Sequence, residues 1–296
     1  MWKWAWALVI LVLVVGFWAW LSSGPARPAG APAAEARAPL TPAECAGPAT
    51  FVDAARVNGA SLETLAWAPF HRPETGWAIY APVIAAEVGT ACAPDSPGFA
   101  AAVAAWQAAH GLAASGRIDP GTVEPMRVVW MLRRPFVVAT RDGACPQPPP
   151  ADQLAEARAD EIYGGKTLSL RADALDAYRR LVAAARREVP AAAGDPALLT
   201  IFSGFRDPAA DEARCAAEQN CGGPERANCS AHRTGLAVDL YLGAAPGLRP
   251  DTSDDANRRV LARSPTYLWM VRNAGRFGFV GYPFEPWHWE WSGAPA

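Results

Sequence analysis

Histidine is scarce in this chain, with four among 296 residues. Any imidazole chemistry must draw on His71, His110, His232 and His288. Net charge is nearly absent as well, at −2, and there is no long basic run. The chain therefore carries no electrostatic footprint for nucleic acid, and no nucleic-acid partner is expected. An odd cysteine is also missing. Six cysteines make an even set, which fits an oxidising compartment and up to three disulfides. Periodicity is lacking from residue 22 to about 42, which are dense in Ala, Pro and Gly and read as a linker. The length leaves room for about two domains.

Charge is missing from one stretch in particular. Trp4 to Leu21 is uncharged, rich in Leu and Val, and flanked by tryptophans at both ends. Its 18 residues would span about 27 Å as a helix, close to the thickness of a bilayer core, and tryptophans belong at membrane interfaces. Residues 1–22 therefore read as an uncleaved transmembrane anchor. A cleaved signal peptide ending near Ala31-Pro-Ala33 is the rival reading, but the apolar run is longer than a usual signal-peptide core. Lys3 and the amino terminus favour a cytoplasmic N-terminus with the rest of the chain outside.

The residues able to do chemistry gather in two stretches, Ser230-Ala-His-Arg-Thr-Gly-Leu-Ala-Val-Asp239 and Glu285-Pro-Trp-His-Trp-Glu290. In the first, Leu236, Val238, Leu240 and Leu242 alternate with Ala237, Asp239 and Tyr241, the pattern of a strand with Asp239 on its polar face. Gly235 allows a sharp turn between His232 and that strand. In the second, three tryptophans alternate with His288 and Glu290, so another strand would bury the tryptophans and present His288. Glu285 has the opposite parity and must leave the strand, with Pro286 as the break. Two imidazoles and a carboxylate suit zinc with one position left open. His232, Asp239 and His288 are the expected zinc ligands, and Glu285 is placed to work on the metal-bound water.

The pattern Ser-x-His-x-x-Gly-x-Ala-x-Asp followed by Glu-x-x-His-Trp resembles the VanY-type D-alanyl-D-alanine carboxypeptidases, zinc peptidases that cut bacterial cell-wall peptides. The resemblance extends over Thr200–Asp207 and Asn273–Pro283 and covers roughly the last 130 residues. It implies that His232, Asp239 and His288 bind the metal, Glu285 is the general base, Arg206 is the substrate or transition-state arginine, and Ser230 assists substrate binding. Arg206 also sits where an apolar strand opens onto a loop, and its guanidinium fork suits a carboxylate. Peptidoglycan stem peptides are the implied partner, and hydrolysis of their terminal D-alanyl-D-alanine bond the implied activity. A zinc endopeptidase cutting elsewhere in the same peptides, and a non-catalytic zinc-containing wall-binding protein, are the alternatives. With the anchor, this places the chain as a single-pass protein of the bacterial inner membrane with its catalytic part in the periplasm. Arg233 after His232 and the long cysteine-bearing segment before Ser230 depart from the commoner family pattern.

The whole chain divides into an anchor at 1–22, a linker at 23–42, a small helical domain at 43–140 and the zinc peptidase domain at 150–296. Phe99, Val103, Trp106 and His110 recur at helical spacing before Gly111, and Asp119-Pro120 caps the next helix. Phe99 to Thr122 is similar to the helical peptidoglycan-binding repeat, which implies glycan binding. A purely structural helical domain is the other reading. Beyond the linker at Pro148–Pro150, a helix is expected over Asp152–Tyr163 and another over Arg171–Val189. A strand follows at Leu198–Phe202, then a helix capped by Asp207, a loop over Gly243–Asp255, a helix opened by Ser264-Pro265 with Leu268, Val271 and Ala274 inward, and a strand at Phe279–Tyr282. The fold class is α+β, with a small antiparallel sheet flanked by helices. Cys215 with Cys221, Cys45 with Cys92, and Cys145 with Cys229 is one of the several pairings open to the six cysteines.

Overall fold

The structure is a computed structural model that describes residues 43–219, 221 and 229–293. The apolar run at Trp4–Leu21 and the linker after it lie outside the described residues. Among the described residues, no helix is long and apolar enough to cross a membrane. Residues 39–296 form one compact unit with two large buried apolar clusters.

The first cluster is helical. It lies in a portion made of α1 (Val52–Ser61), a two-stranded ribbon of β1 (Ala66–Trp67) and β2 (Glu74–Thr75), α2 (Ala81–Glu87), α3 (Pro97–Ala109), α4 (Pro120–Arg133) and the short α5 (Pro135–Ala139). The caps are local. Ser96 Oγ accepts the Phe99 N–H at 3.2 Å, and Asp119 Oδ1 accepts that of Thr122 at 2.7 Å, each satisfying an N–H that the first turn leaves open. Phe99, Val103 and Trp106 are buried against Trp77, Met126 and Trp130. His110 stacks on Trp106 with ring centroids 3.8 Å apart, so its ring is occupied in packing. Cys45 bonds Cys92 across the start of this portion.

The second cluster opens on strand pairing. Residues 152–163 do not form the helix expected of them. Leu154–Glu156 is a strand, β3, which pairs antiparallel with β4 (Ser169–Arg171). Gly164 and Gly165, both at positive φ, lie in the connection between them. The short single turn at Ala159–Glu161 is closed by the Glu161 carboxylate, which accepts from the Arg158 backbone and side chain. Tertiary pairing has overridden a mildly helical composition. Next come α6 (Ala172–Glu188) and α7 (Pro190–Gly194), then β5 (Ile201–Ser203) and α8 (Pro208–Glu218). In α6, Leu175, Tyr178, Leu181, Val182 and Ala185 are buried, as their spacing requires. β5 starts later than expected because Leu199 takes a left-handed φ of 70°.

The remaining elements are β6 (Ala237–Leu240), α9 (Asp255–Arg263), α10 (Pro265–Asn273), β7 (Phe279–Tyr282) and β8 (Glu285–Trp291). The four-stranded sheet has the order β5-β6-β8-β7, with every neighbouring pair antiparallel. One face carries Val238, Leu240, Trp287 and Trp289 into the second cluster, which also takes in buried residues of α6 and α10. Of the three residues expected inward here, Ala274 is buried and Val271 packs against the core only in part, so the buried face of α10 is displaced rather than reversed. Tyr267 and Met270 are buried, whereas Leu268 and Val271 are only half-buried.

Charged side chains fasten the helical portion to the sheet portion. Arg258 on α9 is fully buried. It donates to Glu74 at 3.0 Å, to the Tyr80 hydroxyl at 2.5 Å and to the Phe284 carbonyl at 2.8 Å, and it lies over the Phe284 ring at 4.3 Å. Each nitrogen of the fork thus finds an acceptor, which a buried cation needs. Arg263 and Arg259 pair with Glu63 at the rim of the same contact.

Candidate active site

Asp239 and His288 are direct cross-strand partners in β6 and β8, on the face opposite the tryptophans. Antiparallel pairing sets such side chains close together, and Asp239 Oδ1 lies 2.9 Å from His288 Nδ1. His232 arrives from the single turn Ala231–Thr234. Ser230 caps that turn, its Oγ accepting the His232 N–H at 3.2 Å. Gly235, at φ 67°, then sends the chain into β6. A Cβ there would crowd Arg171 and Leu154 at 3.2–3.3 Å, so glycine serves both the turn and the packing. His232 Nε2 ends 3.2 Å from Asp239 Oδ2. The two imidazole centroids lie 5.1 Å apart.

The buried residues His232, Asp239 and His288 could hold a metal ion, since one donor atom from each lies within 4.8 Å of the others. The outer ring nitrogens are already committed. His232 Nδ1 donates to the Gly204 carbonyl at 2.9 Å, and His288 Nε2 lies 3.4 Å from Glu290 Oε1. This leaves His232 Nε2 and His288 Nδ1 turned to Asp239, the arrangement in which second partners orient imidazole ligands. Gly204 can approach because it lacks a side chain; a Cβ there would meet the Ser169 carbonyl at 2.6 Å.

The electrostatics follow from burial and contact. Burial alone would raise the Asp239 carboxyl, but His232 and His288 outweigh it and hold it well below the usual carboxylate range. Burial alone would lower His288, yet hydrogen bonds to Asp239 and Glu290 raise it to about 9. Glu285 moves the other way. Burial, with the Asp239 carboxylate, pushes its carboxyl upward against the pull of His288, His232 and Arg134. A carboxyl so perturbed beside two imidazoles has the character of a proton-transfer group.

The sequence-predicted residues are thus brought together unevenly. His232, Asp239 and His288 converge, and Glu285 lies within their field. Arg206 is joined to the cluster through its backbone, whose N–H donates to the His232 carbonyl at 3.2 Å, while its guanidinium pairs with Asp211 at 3.3 Å. Ser230 acts on His232 as a cap. Glu285 does not leave the strand as expected. It is the first residue of β8 and pairs with Tyr282, and the register shifts between Gly281 and Tyr282, so an irregularity inside the sheet resolves the parity conflict.

Three neighbours were not singled out in the sequence as site residues. Glu290 is buried on the His288 face and is held near pKa 2, because His288 and Arg134 outweigh the cost of burial. Arg134, between α4 and α5, donates to Glu290 at 2.7 Å and lies 3.9 Å above the Tyr282 ring. Tyr282 meets His288 edge-on at 6.1 Å. The alternation of β8 already places Glu290 beside His288, but nothing local points to an arginine 156 residues away.

Residues 167–294 match the family model of VanY, described as D-alanyl-D-alanine carboxypeptidase. Among solved structures, the LD-carboxypeptidase LdcB, described for its recognition of peptidoglycan, is similar at 20% identity over 48% of this chain and 68% of that one, with a TM-score of 0.35. A mutant of the vancomycin-resistance D,D-pentapeptidase VanY in complex with Zn(II) is similar at 21% identity, over 49% and 82% of the two chains, with a TM-score of 0.28. No curated protein matches the chain.

Proposed function

We propose that the chain is a zinc-dependent carboxypeptidase that removes the terminal D-alanine from peptidoglycan stem peptides. The observation that carries this reading is the convergence of His232, Asp239 and His288 within 4.8 Å, inside the stretch that matches VanY. Two imidazoles and one carboxylate fit zinc and leave a coordination position for water or substrate. When bound, the metal polarises a carbonyl and acidifies water. Glu285 takes a proton from the attacking water and passes it to the leaving amine. The peptide C–N bond breaks, a C–O bond forms, and the products are D-alanine and the shortened stem. Arg206, tied to His232 through the backbone, offers its fork to the terminal carboxylate or the carbonyl oxygen. The Ser230 hydroxyl accepts from His232 and keeps its own hydrogen to donate to substrate.

The three disulfides, Cys45–Cys92, Cys145–Cys229 and Cys215–Cys221, support an oxidising compartment. In this reading residues 1–22 anchor the chain in the bacterial inner membrane, residues 23–42 link it, and the enzyme domain at 150–296 works in the periplasm. Residues 43–140 form the peptidoglycan-binding-like helical domain, and the Arg258 and Arg134 contacts support a scaffolding role for it.

Product analysis by mass spectrometry tests the reading. The full chain, loaded with zinc, is incubated with a pentapeptide muropeptide. Loss of a single alanine is expected, abolished by a chelator and by Glu285→Ala. Cleavage elsewhere in the peptide would move the protein to the endopeptidases, and no product with zinc bound would leave a wall-binding protein.

A further inference from the structure

All three metal-capable donors lie after residue 231, yet the shell around His288 is completed from the helical portion. The Arg134 side chain is only 8% exposed and that of Glu290 only 2%. The guanidinium holds Glu290 Oε1 through Nε at 2.7 Å and through Nη2 at 2.6 Å. The other carboxylate oxygen accepts the Phe136 backbone N–H at 2.8 Å. Both oxygens of Glu290 are therefore fixed by residues 134–136, and Oε1 is the atom beside His288 Nε2. The same guanidinium covers Tyr282, whose ring meets the His288 imidazole edge-on. Arg134 thus touches both groups that flank the outer side of His288 and does not touch His288 itself.

We propose that Arg134 is a positioning residue for the metal centre, which fixes Glu290 and Tyr282 so that the His288 imidazole presents Nδ1 toward Asp239 and His232. This rests on the zinc reading above. A carboxylate behind a metal-bound imidazole sets its tautomer and orientation, and losing such a partner costs about 10–100-fold in metal affinity. Arginine is suited to the task because its planar fork binds one carboxylate at two points and stacks on an aromatic ring at once; lysine provides only the charge.

The test uses the full chain and two readouts that do not depend on turnover, namely zinc affinity by competition with a chelator and the visible spectrum of the cobalt(II)-substituted protein. Arg134→Met is expected to weaken zinc by about 10–100-fold and to shift the cobalt bands. Arg134→Lys should fall between Arg134→Met and wild type. Arg263→Ala removes an exposed pair with Glu63 across the same contact, and it should leave affinity and spectrum as in wild type. If Arg134→Met does not fold, Glu290→Gln carries the test with the same expected change. A folded variant with wild-type zinc affinity and an unchanged cobalt spectrum overturns the proposal. A wild-type chain that binds no zinc overturns this proposal and the peptidase reading together. Zinc binding without hydrolysis overturns the peptidase reading alone, and the affinity comparison still decides the role of Arg134.

Discussion

Arg258 and Glu74 meet at 3.0 Å with both side chains sealed from solvent, although 184 residues separate them. Removing one partner of such a pair strands the other charge, at a cost of about 3–5 kcal/mol. Arg258→Ala should therefore lower the free energy of unfolding by that amount, measured by urea titration. Because Arg258 also holds the Phe284 carbonyl next to Glu285, activity should fall in the fraction that stays folded. Stability within about 1 kcal/mol of wild type would show that the contact is not a fastening.

Glu285→Gln keeps the shape of the side chain and removes its ability to take a proton. General-base catalysis contributes about 10²–10⁴-fold, and turnover should drop by that factor. Zinc content, measured by elemental analysis, should be unchanged. Near-wild-type turnover would take the proton-transfer role away from Glu285.

Glu161 sets a pH dependence of its own, through Arg158 and Arg179. Burial opposes its ionisation, but hydrogen bonds and charge from Arg179 and Arg158 outweigh it and hold the carboxyl below its ordinary 4.5. A folded pKa below the unfolded one contributes stability that is complete above about 4.5 and is lost as pH falls through the folded value. The urea midpoints of wild type and Glu161→Gln should differ at neutral pH and draw together as the solution is acidified below about 4.5. A gap that stays constant with pH would exclude this carboxylate as the cause.

Cys145–Cys229 links residues 84 apart in sequence. On a chain-entropy basis, a loop of that length makes the bond worth about 4–5 kcal/mol. Replacing both cysteines by serine should lower stability by up to that amount. Because Cys229 immediately precedes the Ser230 cap of His232, zinc affinity should weaken as well. Chelator competition on the double variant measures this, and unchanged affinity would confine the disulfide to a stabilising role.

The parts of the fold that were legible in the sequence share a short range. Val238, Leu240, Trp287 and Trp289 declare their face by alternation, and Asp239 and His288 fall on the other face by the same rule. Asp119, Asp207 and Ser264 mark helix starts because a cap acts within three residues. What escaped depends on partners far along the chain. Leu154–Glu156 is a strand only because Ser169–Arg171 lies beside it. Helix α9 escapes the sequence because its composition is polar and two of its most deeply buried side chains, Asn257 and Arg258, are of types mostly found exposed. Glu290 was visible as a neighbour of His288, but its anchor, Arg134, belongs to another part of the chain. The spacing of Leu268, Val271 and Ala274 finds Ala274 buried, but the contacts of α10 with α2, α6 and α9 bury Tyr267 and Met270 more deeply than Leu268 and Val271.

The order of the sheet bears on when the protein becomes a hydrolase. β8 is made last of the four strands, yet it lies inside the sheet, between β6 and β7. Until it inserts, β6 and β7 have no bond to each other, and Asp239 and His232 wait without His288 or Glu285. A chain interrupted before β8 thus has neither a finished sheet nor a working centre, so the degradative activity proposed here is withheld from every incomplete copy.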